Sequence, residues 1–191
     1  MPTSIDIASN ALILIGDSPI SSFDDPGAGA TAASNLYAET YKGVLSEHPW
    51  SFALKELQLS RLSAQPDSET GYTYAFQIPS DMIRLWALFP HSNYTIIGGL
   101  IYSNQTELIA RYVYQVSETS LPAHVVKSIE YKLASEFAML VTEDAQKAGY
   151  YEQKYMESVA KAKSIDSQGR PQVSMIDSPF VYVRFSGRSL Y

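Results

Sequence analysis

The sequence predicts an α+β fold: a helical body of about four helices, an inserted small antiparallel β subdomain, and an extended C-terminal tail. Three observations predict it. Apolar residues recur at helical spacing before His48 and again after Pro122. Between them, from about residue 50 to residue 117, short strand-like runs are separated by turn residues. After "DSQGRP" the helical pattern stops and the remaining segment reads as extended. The expected division is a body over 1–169 and a tail over 170–191.

The first helix is expected over Ser4 to Ile15. Thr3 is placed to cap it, Asp6 completes a capping-box-like arrangement, and Gly16 is a natural stop. Its apolar face uses Ile7, Ala8, Ala11, Leu12 and Ile15. "GDSPISSFDDPGAGA" then reads as a loop. A second helix is expected over about 30–47, with Ala33, Tyr37, Tyr41 and Val44 at helical spacing and Leu36 and Leu45 alongside. It ends at "EHPW", because Pro49 cannot continue it and biases His48 toward an extended conformation.

The middle, about 50–117, holds the β insert. "SFALKELQLSRL" is patterned for a strand that begins as a helical extension. "YTYAFQIPSDMIRLWAL", "TIIGGLIYS" and "ELIARYVYQV" read as short strands, and Gly98-Gly99 signals a hairpin because paired glycines suit a turn with positive φ. Pro122 suits a helix start, so a third helix is expected over about 123–142. Val125, Ile129, Leu133, Phe137 and Leu140 or Val141 form its stripe. The fourth is expected over about 143–167, with Ala148, Tyr151, Tyr155, Val159 and Ala162 on one face. Gly149 weakens it by about 1 kcal/mol against alanine.

With 191 residues the chain is one domain by the usual prior. No apolar run reaches the ~20 residues of a membrane span, and the N-terminal stretch lacks signal-peptide character, so a soluble intracellular protein with no membrane partner is expected. There is no cysteine, which removes disulfides, thiolate catalysis and cysteine-bearing zinc sites. Tyrosine is abundant, 14 against 7 Phe and 2 Trp, a composition that serves interfaces and the rims of cores alike.

The net charge of −6 argues against a protein that grips nucleic acid. It is unevenly placed. Residues 170–191 hold Arg170, Arg184 and Arg188 against Asp177, a sum of +2, which leaves −8 for residues 1–169.

A search for chemistry yields no catalytic, cofactor-binding or metal-binding set, and no enzyme is expected. His48, His91 and His124 have no metal-ligand spacing and read as boundary residues. "DDPGAGA" lacks the lysine of a phosphate cradle, and no nucleophile elbow or kinase set is present. The acid pairs Asp24-Asp25 and Glu143-Asp144 read as solvated caps rather than cation sites. "NYT" at Asn93 and "NQT" at Asn104 match the glycosylation pattern by coincidence. Trp50 and Phe52, after the helix-stopping proline, are either a hydrophobic hinge between helix two and the insert or an inter-subunit contact; large aromatics at junctions favour the first.

The tail segment "PFVYVRFSGRSLY" alternates like a strand, with Phe180, Tyr182 and Arg184 on one side and Val181, Val183 and Phe185 on the other. Arg188 and Tyr191 follow. Either it folds back onto the protein's own sheet or it adds as a strand to another chain, and the second is expected.

The order of segments carries a resemblance. "ALILIGDSPISSFDD" followed by "TAASNLYAETYKGVLSEHPWSFA" resembles the opening of the tail tubular protein A family, the head-to-tail adaptors (connectors) of short-tailed bacteriophages and their relatives. The shared shape is a helix ending in Ile-Gly, a small loop with proline, a helix of small residues and tyrosines, and an aromatic unit, here Trp50-Ser51-Phe52. "YAFQIPSDMIRL", "GGLIYSN" and "IEYKLASEFAML" agree with later family segments. The resemblance reaches to about Ser167 and leaves out the tail.

It implies a non-catalytic virion protein of the neck or tail, assembled in the host cytoplasm. Family members form a homo-oligomeric ring of twelve, a dodecamer, between the portal protein and the tail nozzle or next tail component. Genomic DNA crosses the channel without sequence-specific binding. On that pattern Phe180, Val181, Tyr182, Val183, Arg184, Phe185, Arg188 and Tyr191 would form a portal-docking tail, with the arginines meeting carboxylates. Two alternatives stay open: a head-completion or stopper ring of a long-tailed phage, and a small phage-encoded hydrolase using carboxylates as acid and base.

Overall fold

A computed structural model describes residues 2–63 and 71–169. The fold is α+β, as the sequence predicts. The tail residues 170–191, including all eight named docking positions, lie outside the described residues.

Helix α1 spans Ser4–Ile15 and is closed at both ends by local chemistry. The Thr3 hydroxyl accepts from the Asp6 amide at 3.2 Å, and the Asp6 carboxylate accepts from the Thr3 amide at 2.8 Å. Gly16, at φ 90°, turns the chain left-handed, and the amides of Gly16 and Asp17 donate to Ile13 and Leu12. The buried face is the predicted one: Ile7, Ala8, Ala11, Leu12 and Ile15. In the following loop, Asp25 accepts from the amides of Ser21 and Ser22 at 2.7 and 3.0 Å. That carboxylate clasps the loop, and its backbone bonds hold its pKa below the usual range.

Helix α2 spans Ala28–Ser46 and starts two residues earlier than predicted. Gly27, at φ 137°, caps it, so helix begins as soon as that conformation ends. Gly29 is buried against α1: a Cβ there would meet Leu12 at 3.1 Å and the Asp17 carboxylate at 2.6 Å. A larger residue there would push the Asp17 carboxylate and the Leu12 side chain aside.

The insert contains two three-stranded antiparallel sheets. Strands β1 (Leu54–Gln58), β3 (Met82–Phe89) and β6 (Ile109–Tyr114) form one, in the order β1-β6-β3. Strands β2 (Tyr74–Gln77), β4 (Tyr94–Ile97) and β5 (Leu100–Ser103) form the other, in the order β2-β5-β4. Gly98 and Gly99 make the predicted β4–β5 turn with φ of 59° and 78°. A 3₁₀ turn, Ser51–Ala53, precedes β1. Beyond β1 the chain crosses to the second sheet, where Leu62 and Ala75, and Gln77 and Ser60, share backbone bonds.

Strand β6 joins the two halves. Ala110 and Tyr112 face the insert's own core with Leu59, Phe76, Leu88, Ile101 and Leu108. Val113 faces the helical core with Trp50, Tyr41 and Ile129. Burial on both faces follows from alternation in a strand with packing partners on each side.

Helix α3 spans Ala123–Val141 and α4 spans Ala145–Gln168. The α3 stripe Val125, Ile129, Leu133 and Phe137 is fully buried. Beyond Phe137 the stripe passes to Val141, which is half-buried on the core, while Leu140 is 59% exposed. Helix α4 begins two residues later than predicted. Glu143 adopts φ 51° to turn the chain, and Asp144 caps the helix through the amides of Gln146 and Lys147, each at 3.0 Å. Of the predicted α4 face, Tyr155, Val159 and Ala162 are buried, whereas Ala148 and Tyr151 are half-buried. The α4 side chains Lys147 and Tyr151 donate to the carbonyls of Ile15 and Leu14, satisfying the open end of α1.

Tyrosine hydroxyls tie core to rim in several places. Tyr41 donates to the Val116 carbonyl at 2.6 Å, and Tyr112 donates to Asp81 at 2.9 Å. Replacing Tyr41 with phenylalanine keeps the packing and removes one buried bond. The expected loss is about 1 kcal/mol, read from urea unfolding with an unchanged slope.

Asp81 also accepts from Lys55 at 2.9 Å, so it binds β1 and β6 to the start of β3. The Lys55 bond, aided by Tyr112, lowers its pKa. A lowered folded-state pKa stabilises at pH above the ordinary carboxylate range and is lost as pH falls through the lowered value. Asp81→Asn is therefore expected to melt lower than the parent at pH 7 and to lose less of its melting temperature on going to pH 3.

Candidate interaction surface

The aromatic unit that ends α2 is built into the interior. Trp50 is fully buried, and its indole N–H donates to the Val44 carbonyl at 3.2 Å. His48 lies edge-on to it at 4.8 Å, and Phe52 stacks at 5.9 Å while half-buried on the helical core. Asp166 of α4 accepts from the Ser51 amide and hydroxyl at 2.9 and 2.6 Å, and lies 3.4 Å from the His48 ring. Serine, histidine and aspartate thus meet, but the serine donates to the carboxylate, not to the imidazole, so the histidine is not placed to take its proton. The unit works as a joint between α2, α4 and β1. Trp50 itself is fully enclosed within the chain.

The other histidines stand apart. His91 packs 4.9 Å from the Phe89 ring, and His124 sits in the first turn of α3. Among the described residues no three His, Asp or Glu side chains gather as a metal-binding group, and no helix is long and apolar enough to cross a membrane.

A groove of about 640 Å³ lies between α2, α3 and α4. Leu36 and Val44 of α2 and Ala148 and Tyr155 of α4 form its apolar floor. Met139 and Leu140, 51% and 59% exposed, form an apolar lip at the end of α3. Gly43 keeps one wall open: a Cβ there would meet nothing within 4 Å.

Its polar rim is acidic. Glu39, Glu47 and Glu136 line it beside one cation, Lys132. That lysine is already held by Glu152 at 2.9 Å. Glu47 accepts from the Tyr155 hydroxyl and from Lys163. Glu136 accepts from the Thr40 hydroxyl at 2.5 Å. No described lysine or arginine pairs with Glu39 or Glu136. Burial, with the Glu47 bond, pushes the Tyr155 pKa well up, so the phenol stays a donor.

A second surface lies on the insert. Tyr94, Ile96 and Ile97 of β4 are 44%, 48% and 52% exposed, and β4 is the outer strand of its sheet. A short apolar edge strand is a site for adding another chain unless covered.

Sequence reasoning placed Leu140 on the α3 stripe as one of two choices and missed the groove. The available signal was that Met139 and Leu140 widen the apolar arc beyond a 125/129/133/137 stripe. No protein-family model matches this sequence, and no curated protein matches it.

Removing the Glu47 carboxylate would leave a buried tyrosine hydroxyl without its acceptor. Glu47→Ala is expected to destabilise the fold by about 1–3 kcal/mol, measured by urea unfolding. Met139→Ser with Leu140→Ser should change stability by no more than about 1 kcal/mol, because both side chains are already more than half exposed.

Proposed function

We propose that this chain is a structural subunit of a bacteriophage neck, a head-to-tail adaptor that assembles as a ring between the portal and the next tail component. The observation that carries the reading is the run of matched segments from "ALILIGDSPISSFDD" through "HPWSFA" to "IEYKLASEFAML", which resembles the tail tubular protein A family in order and character. A helical body with a β insert is the architecture which that resemblance implies.

Two further features support it. The exposed apolar surfaces, the α3 lip and the β4 edge, are unlike one another and lie on different halves of the molecule. Unlike surfaces suit head-to-tail association, which closes into rings, better than a two-fold dimer. The −8 charge of residues 1–169 suits a channel wall that DNA crosses without adhering.

In this reading Phe180 to Phe185 dock on the portal by strand addition or in clefts, and Arg184 and Arg188 pair with its carboxylates. One tail binds weakly, and many on a ring bind together.

Co-sedimentation with the portal ring of the same genome tests this. The full chain is expected to pellet with the portal. A chain ending at Gly169, and the full chain carrying Arg184→Glu and Arg188→Glu, are expected to stay in the supernatant. Binding that survives both changes would remove the tail from the contact, and no binding by the full chain would sink the adaptor reading.

A further inference from the structure

The acidic groove and the basic tail belong to one chain, and their chemistries are complementary. The groove has an apolar floor, an exposed lip of Met139 and Leu140, and two carboxylates, Glu39 and Glu136, that meet no described cation. Residues 178–191 contain two arginines, no acid, and an alternating run of aromatic and aliphatic residues.

The chain is long enough to bring them together. Helix α4 lines the groove at Tyr155 and ends at Gln168. Thirteen residues of helix separate these points, about 20 Å at 1.5 Å per residue, and twenty separate Gln168 from Ala148 at the lip end of the groove, about 30 Å. From Gly169 to Val181 an extended chain reaches about 40 Å. A segment leaving α4 can therefore return along the helix to the groove, or enter the groove of an adjacent copy.

The β4 edge is the competing receptor. Residues 92–104, which hold the β4–β5 hairpin, contain no acidic residue, so that edge offers backbone groups and apolar surface but nothing for the arginines. Charge selects the groove.

We infer that the groove between α2, α3 and α4 is the receptor for the chain's own segment Pro179–Arg188, with Val181, Val183 and Phe185 covering the Met139–Leu140 lip and Arg184 and Arg188 pairing with Glu39 and Glu136. This does not rest on the adaptor role. If the portal also binds the segment, the groove competes with it and is emptied on docking.

The absence of cysteine makes the test clean. The full-length chain is prepared with Leu140→Cys and Val183→Cys, and its rate of disulfide formation under mild oxidation is followed on non-reducing gels. The control pair is Met156→Cys with Val183→Cys. Met156 is 60% exposed and nearer to the end of α4 than Ala148 beside the lip, so chain length alone favours the control pair, but Met156 lies off the groove. A seated segment raises the local concentration of one thiol at the other, so the groove pair is expected to close about tenfold faster than the control.

Gly43→Leu, whose Cβ would meet nothing within 4 Å, puts a side chain at the open wall and should bring the groove pair down to the control rate. Glu39→Lys with Glu136→Lys should do the same, with circular dichroism verifying the fold of each variant. Cross-links within one chain or between two chains both support the inference and tell which copy supplies the segment. Equal rates for the groove and control pairs, or a groove rate unmoved by either change, would overturn it. That result leaves the portal experiment standing, because the portal experiment does not involve the groove.

Discussion

The fold depends on one strand being buried on both faces. β6 is the central strand of its sheet, and its alternation sends Tyr112 and Ala110 into the insert's core and Val113 into the helical core. A strand with one solvated face would let the insert hang from the body by two connections alone. Here the same backbone carries both cores, and Val116, just past its end, receives the Tyr41 hydroxyl from α2. The Trp50 joint makes the second tie, since Asp166 of α4 reaches the turn that starts β1. Body and insert are therefore fastened at both ends of the insert by buried groups.

Helix packing follows from small residues and from shared ends. Gly29 lets α2 lie against Leu12 of α1. The open carbonyls at the end of α1 are met by Lys147 and Tyr151 of α4, so the last helix locks the first. Because α3 and α4 are joined by a tight turn at Glu143 and Asp144, their far ends diverge only as much as the side chains between them require. The groove forms where α2 is not held by larger residues: Gly43 supplies no side chain, and Met139 and Leu140 turn outward. Its acidity comes from α2 and its end, through Glu39 and Glu47, and from α3, through Glu136.

What could be read from the sequence was what local chemistry decides. The capping box at Thr3 and Asp6, the Gly16 stop and the Gly98-Gly99 turn are short-range devices, and α1 and the hairpin stand where they were expected. Boundaries slipped where one backbone angle decides them, at Gly27 and at Glu143. The split of the insert into two sheets was not legible, because pairing Leu54 with Val113 and Tyr74 with Ser103 is a matter of contacts far apart in the chain. The groove was hidden for the same reason: Glu39 and Glu136 become neighbours only when α2 packs on α3. A helical stripe can show that Leu140 is apolar, but not that the core-facing side passes to Val141 and leaves Leu140 outside.

The proposed role is a ring that continues the portal, and counting subunits is its sharpest test. Native mass spectrometry of portal rings mixed with the full chain would give the number of copies bound per portal. The account predicts a saturating complex with a fixed, ring-closing number of copies and no larger species. A chain that stays at its 21.2 kDa monomer mass beside bare portal rings at every concentration would contradict it.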